Sequence, residues 1–287
     1  IRDSVASRGL GDVYKRQGFL PSRFQGVQLR SKGDPVLYVK RPGGVDADRQ
    51  RDVVDAVQQL NQLQNAAVQD PEITTRISQY EMAFRMQFSV PDVFDISKES
   101  QATRDLYGDS EYAKGCLIAR RLVERGVRTV QLSHSIDGYD IAWDTGHGDI
   151  KGGHARLAKA CDQGIAALLK DLKTRGLLDE TLVVWGGEFG RTPMFQGKGA
   201  TAGRDHHMRA FSMWLAGGGI KGGVTYGETD ELGYHAAIDR THVRDLHATM
   251  LHLLGIDSQS FTHRFQGLDA RLTGVEEEAQ AIKPILS

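Results

Sequence analysis

Cysteine is nearly missing from this chain: Cys116 and Cys161 are the only two in 287 residues. They lie far apart, each inside a helical pattern, so a disulfide framework is excluded and buried free thiols are expected. No Cys-x-x-Cys pair offers a zinc knuckle. Long apolar runs are missing as well. The longest, such as Thr181–Trp185, fall far short of the roughly 20 residues that a membrane-spanning helix needs. Nor is charge of one sign in excess, with 36 Lys and Arg against 37 Asp and Glu and a net charge of −1. That balance gives neither a broad phosphate-backbone surface nor a polybasic membrane patch, so nucleic acid is not the expected partner.

What is present is an ordinary globular composition, 40% hydrophobic and 25% charged, on a chain long enough to bury a substantial core. It opens on Ile1 rather than Met. Residues 1–17 match no apolar period and resemble translated adapter sequence, so they are expected to be non-native and are set aside; an ordinary polar arm is the alternative. One domain is expected over 18–287.

Residues 18–45 read as loop with weak strands. Val53, Val54, Val57, Leu60 and Leu63 recur at helical spacing and predict a helix over 47–66. Pro71 opens a second predicted helix, to about Gln87. A third, from Ser110 to Arg125, presents Leu117, Ile118, Leu122 and Val123 and ends at Gly126. Arg128–His134 then reads as a strand, His154–Arg175 as an amphipathic helix, Thr181–Trp185 and Ala210–Ala216 as apolar strands, and 242–254 as a helix capped by Thr241. Strand, helix and apolar strand in succession predict a parallel sheet covered by helices. Ligands of such sheets sit beyond the carboxyl ends of the strands, and the polar clusters of this chain fall there.

Asp144-Thr-Gly-His147 follows the first of these strands. Carboxylate and imidazole suit a divalent ion, and glycine can aim both at one point; turn chemistry is the bland alternative. Gly186-Gly-Glu188-Phe-Gly-Arg191 follows the second strand, with Glu188 set either for a ligand role or for a surface ion pair with Arg191. Arg204-Asp-His206-His207 is the sharpest local feature. Adjacent histidines point differently, so one is expected to face a site and the other to support it, while Arg204 offers a fork for a tetrahedral oxyanion. His247 reads as a histidine at the edge of a core, on a face with Val243, Leu251 and Leu254. Gly217-Gly-Gly-Ile-Lys-Gly-Gly223 lacks the helix start and Lys-Ser/Thr ending of a phosphate loop, so a hairpin or turn is expected.

Taken together, Leu182–Pro193, Gly203–His207, Trp214–Gly227 and Asp245–Thr249 resemble the DUF1501 family, which is related to sulfatases and alkaline phosphatases, over residue 18 to the C-terminus. The resemblance implies an α/β fold, an alkaline-phosphatase-like α/β/α sandwich with a mostly parallel sheet. It also implies divalent ions (zinc, calcium or manganese) and in-line displacement on a sulfate or phosphate ester of a small molecule or glycan. By order along the chain, Asp144 and His147 match the first ligand pair, Glu188-Phe189 takes the place of an Asp-His pair, and His206 or His207 matches the last ligand. Arg191 and Arg204 are the implied substrate-binding residues. Phe189 stands where a second imidazole is expected. The superfamily's first metal Asp and its Ser, Thr or formylglycine nucleophile lie in an opening segment not matched here. The resemblance therefore implies a chain truncated before that segment, with the catalytic residue unassigned. Relatives that open with an export signal imply an exported location. The expected function is a metal-dependent ester hydrolase, with a catalytically inactive binder of sulfated or phosphorylated glycans as the alternative.

Overall fold

The computed structural model describes residues 3–5, 26, 28–29, 46–68, 92–134, 142–187, 189–197, 202–274 and 278–287. The chain divides into two units, residues 1–138 with 163–165, and residues 139–162 with 166–287.

In the first unit, strands β1 (Asp3–Val5), β2 (Gln28–Leu29) and β3 (Val130–Leu132) form a parallel sheet of order β2-β1-β3, with Val5 opposite both Leu29 and Leu132. Helix α1 (Ala47–Val68) matches the predicted span, but Val53, Leu60 and Leu63 on its apolar stripe are exposed. Periodicity specifies which face is apolar, not what covers it. Helices α2 (Gln101–Tyr107) and α3 (Glu111–Glu124) start where serine hydroxyls accept the orphan N–H groups of the first turn: Ser100 from Thr103 at 3.1 Å and Ser110 from Ala113 at 3.1 Å. From α3, Ile118 and Leu122 bury against Val93, with Phe94, Ile96, Val127, Val130 and Leu132 around them. α3 also carries charge inward. Arg120, only 1% exposed, contacts Glu99 at 2.8 Å and Glu124 at 2.5 Å, and Arg121 pairs with Glu99 and donates to the Val93 carbonyl at 2.7 Å. The helix predicted over 71–87 lies outside the described residues.

The second unit begins with a 3-10 turn, Ala142–His147, and helix α4 (Ile150–Thr174), whose turn 163–165 belongs to the first unit. α4 starts four residues earlier than predicted because Asp149 caps it, accepting from the Gly152 N–H at 2.9 Å. Leu157, Cys161, Ala167 and Leu172 form its buried stripe. Strand β4 (Val183–Trp185) is followed by β5 (Gly190–Arg191), β6 (His206–His207) and β7 (Trp214–Ala216). After these come β8 (Glu228–Thr229), β9 (Ala236–Ile238), helix α5 (Val243–Leu253) and the hairpin β10 (Thr262–Phe265) with β11 (Leu268–Arg271).

The fold class is mixed α and β, as expected, but the mostly parallel sheet is not what the described residues form. Apart from the β2-β1-β3 sheet, the pairs β4-β7, β5-β6, β8-β9 and β10-β11 are antiparallel and two-stranded. The physical reason is the connection. A parallel pair needs a crossover, usually a helix, that carries the chain back to the starting end of the first strand, whereas the described residues between β4 and β7 form the β5-β6 hairpin and no helix, and β7 returns antiparallel. For the same reason β4 is not the doubly buried strand expected. Val183 and Val184 are half-buried, and Trp185 is exposed beside the stacked ring of Trp214.

Two further expectations change in α5. His242, not Thr241, caps it: its Nδ1 accepts from the Arg244 N–H at 3.1 Å, while Asp245 accepts from the His242 N–H at 2.8 Å. The buried face runs through Ala248 and Thr249, leaving His247, Val243 and Leu254 exposed. The C-terminal stretch decides this, since Gln280 donates to Asp245 at 3.0 Å and Ile282 to Thr249 Oγ1 at 2.9 Å. The glycine run after β7 is a turn, its Gly218 N–H held by the Leu178 carbonyl at 2.9 Å.

Candidate metal centre

The centre is assembled within the second unit from one turn and one hairpin. In a 3-10 turn, residues three apart eclipse on one face, so the Asp-x-x-His spacing of the 142–147 turn sets Asp144 and His147 side by side, Oδ1 to Nε2 at 3.8 Å. The hairpin comes from β5 and β6, where Arg191 lies opposite His206 and Gly190 opposite His207. Successive strand residues point to opposite faces. Arg191 and His206 therefore share the face that meets Asp144, and His207 takes the other.

Gly190 makes this approach possible. A Cβ at that position would lie 2.3 Å from the Ala210 carbonyl oxygen, so only glycine lets β5 run this close to the segment leading into β7. The hairpin continues beyond the strands. Thr192 donates its N–H to the Asp205 carbonyl at 2.8 Å, and Gln196 and Gly203 exchange backbone bonds at 2.8 and 2.9 Å.

Asp144 Oδ1 is the hub. It accepts from His206 Nε2 at 2.6 Å and from Arg191 Nη2 at 2.7 Å. The His206 bond, foremost, holds the Asp144 carboxyl below its ordinary value; burial pushes the other way, and the Arg191 bond with the electrostatic pull of both partners outweighs it. Asp144 is thus an anion at neutral pH. Arg191 also donates to the carbonyls of Trp143 at 3.1 Å and Arg204 at 3.4 Å. His147 turns Nδ1 to Gln196 Oε1 at 2.7 Å, with Asp205 Oδ1 farther off at 3.7 Å. The rings of His147 and His206 lie 4.7 Å apart, and Phe189 meets His206 edge-on at 4.9 Å.

Asp144, His147 and His206 each offer one donor atom, and these lie within 4.8 Å of one another. Ligand atoms on one tetrahedral zinc ion lie about 3.4 Å apart, and the His206 and His147 distances to Asp144, 2.6 and 3.8 Å, bracket that value; an ion held here would replace the proton that His206 Nε2 shares with Asp144. Two imidazoles and a carboxylate suit zinc or manganese better than calcium, which favours oxygen. The three side chains are 36–37% exposed, so solvent reaches the open side. The donor set fits a divalent ion.

Of the residues singled out from sequence, the structure brings together Asp144, His147, His206 and Arg191. His207 is not among them. It is 7% exposed, its Nε2–H donates to the Tyr234 carbonyl at 2.6 Å, and its ring packs on Tyr234. Arg204 is exposed beside Asp205, with no side-chain partner among the described residues. Glu188 lies outside the described residues. Gln196 and Thr192 escaped sequence reading, because only the hairpin register brings them to the site.

A turn-borne Asp-x-x-His completed by a histidine from a β-hairpin defines a protein with a three-donor site of the kind divalent ions take. The DUF1501 family, described as a protein of unknown function, matches residues 2–286, and the chain belongs to that family. No curated protein and no solved structure matches it.

Proposed function

We propose that this chain carries the ion-binding part of a metal-dependent hydrolase acting on sulfate or phosphate esters. The convergence of Asp144, His147 and His206 carries the reading. A bound divalent ion supplies Lewis acidity and a template for an ester oxyanion. Arg191 keeps Asp144 charged and aimed, which makes it a positioning group. Arg204, exposed two residues before His206, is the side chain we assign to ester oxygens, since a guanidinium can bind them in bidentate fashion. The finer fold expectation, an alkaline-phosphatase-like sandwich, is part of the same proposal and is supported by the sequence resemblance. An exported location rests on that resemblance too.

The test is metal content and ion-dependent melting of the purified protein. At least one divalent ion per chain is expected, together with a rise in melting temperature on adding zinc or manganese to stripped protein, because an ion that binds only the folded state stabilises it. Stripped protein whose melting temperature is indifferent to zinc, manganese and calcium alike ends the proposal.

Phe189 favours a second reading. Its ring covers one side of His206 where the resemblance expects another imidazole, which suits a member that binds sulfated or phosphorylated glycans without cleaving them. Glycan binding with no turnover of aryl sulfates or aryl phosphates selects this alternative.

A further inference from the structure

We infer that Gln196 is a positioning residue for the ion site, fixing the His147 ring so that Nε2 is its ligand atom. This rests on the ion-site reading above and adds to it which nitrogen binds and what decides that. A neutral imidazole has one N–H and one lone pair, and an ion takes the lone pair. The group that accepts from the other nitrogen settles the tautomer. Here Gln196 Oε1 lies 2.7 Å from His147 Nδ1, so Nδ1 carries the proton and Nε2, 3.8 Å from Asp144 Oδ1, presents its lone pair toward the other two donors. Asp205 Oδ1, at 3.7 Å from Nδ1, is beyond hydrogen-bond reach.

Gln196 is itself held. Its N–H donates to the Gly203 carbonyl at 2.8 Å and its carbonyl accepts from Gly203 at 2.9 Å, a rung of the same hairpin in which Arg191 pairs with His206. One hairpin therefore serves all three ligands: it supplies His206, holds Asp144 through Arg191, and orients His147 through Gln196. An amide does this without adding charge. A free neutral histidine prefers its proton on Nε2, so without Gln196 the proton returns to the atom the ion needs.

The experiment uses the full chain labelled with nitrogen-15, with His147 read by long-range proton–nitrogen correlation in stripped protein and zinc affinity read by titration. Wild type is expected as the Nδ1–H tautomer. Gln196→Leu moves His147 toward Nε2–H and weakens zinc about 10–100-fold, whereas Gln196→Glu keeps Nδ1–H and stays within about threefold of wild type. Gln196 is exposed, so unchanged melting temperatures are expected for both variants, and Gln196→Met supplies a second apolar replacement. Asp144→Asn should abolish zinc binding and leave the His147 tautomer alone. An Nε2–H tautomer in wild type, or a Gln196→Leu protein with wild-type tautomer and affinity, overturns the inference. Wild-type protein that takes up no zinc overturns the ion site instead, and the tautomer readout still decides the role of Gln196.

Discussion

Asp144 Oδ1 receives His206 and Arg191 within a tenth of an ångström of one another, at 2.6 and 2.7 Å, and this sharing decides what each neighbour can do. A guanidinium that also holds the Trp143 and Arg204 carbonyls is committed to the protein, so under the proposed function the oxyanion role passes to Arg204. The two adjacent histidines part company for a simpler reason, the alternation of a strand. His206→Ala should cost the ion at least about 10²-fold in affinity, while leaving stability within about 0.5 kcal/mol, the usual range for an exposed side chain. His207→Ala should do the reverse: zinc affinity unchanged, and stability lower by about 1–3 kcal/mol, since it removes a buried ring and strands the Tyr234 carbonyl. Paired zinc titrations and urea melts separate the two, and a His207→Ala protein that loses the ion but keeps its stability would show the strand faces to be assigned the wrong way round. Asp144, His147 and the His206-His207 pair were legible in the sequence because ion-binding side chains are few and their spacing is informative. Which of the paired histidines faces the site was not, because that depends on register. Gln196 was invisible, since a glutamine in a glycine-rich loop carries no local signal of the ring it will meet.

Among the elements, the β5-β6 hairpin matters most, and it depends on a residue that touches none of the ligands. Gly190→Ala places a methyl group 2.3 Å from the Ala210 carbonyl oxygen, which backbone cannot yield cheaply. The hairpin must move away, taking Arg191, Gln196 and His206 with it. The expected result is a loss of about 1–3 kcal/mol in stability, as for other overpacked sites, with zinc affinity falling by at least about tenfold through a site whose ligands are all present. A Gly190→Ala protein with wild-type zinc affinity would mean that the hairpin is anchored elsewhere. The helices α1, α3, α4 and α5 could be read from periodicity and caps to within a few residues. Their buried faces were less legible. In α5 the periodic set Val243, His247, Leu251 and Leu254 looked like a core stripe, yet the chain end docks on Asp245 and Thr249 instead, an interaction that spans more than thirty residues of sequence. The strand pairings were misread for a related reason: apolar content shows that a segment can enter a sheet, but what the connection folds into, a hairpin or a crossover helix, chooses its direction.

At the scale of the whole molecule, a balanced total charge hides a strongly organised local one. Glu99 is the anion between two buried guanidiniums, those of Arg120 and Arg121. Burial alone would raise its carboxyl, but the bonds and charges of the two arginines prevail and hold it below the ordinary glutamate value. A carboxyl whose folded value is depressed contributes stability that is present above the ordinary value, about 4.3, and is lost as pH falls through the depressed one. Asp92 and Asp95, on the same stretch of chain, are lowered too, chiefly by bonds from Lys98 and Ser97 respectively, so the acid limb of the stability curve has several contributors. Glu99→Gln isolates one of them. Near pH 7 it leaves Arg120 and Arg121 short of a buried counter-charge and should cost about 3–5 kcal/mol, the range for breaking one side of a buried pair. Below about 4.3 that stability begins to fade, and as pH falls through the depressed folded value wild-type Glu99 becomes protonated and as neutral as the glutamine, so the two melting curves should converge. Circular dichroism melts from pH 7 to 3 measure this directly. Curves that stay parallel throughout, with the variant lower by a constant interval, would place the cost of Glu99→Gln in packing rather than in charge.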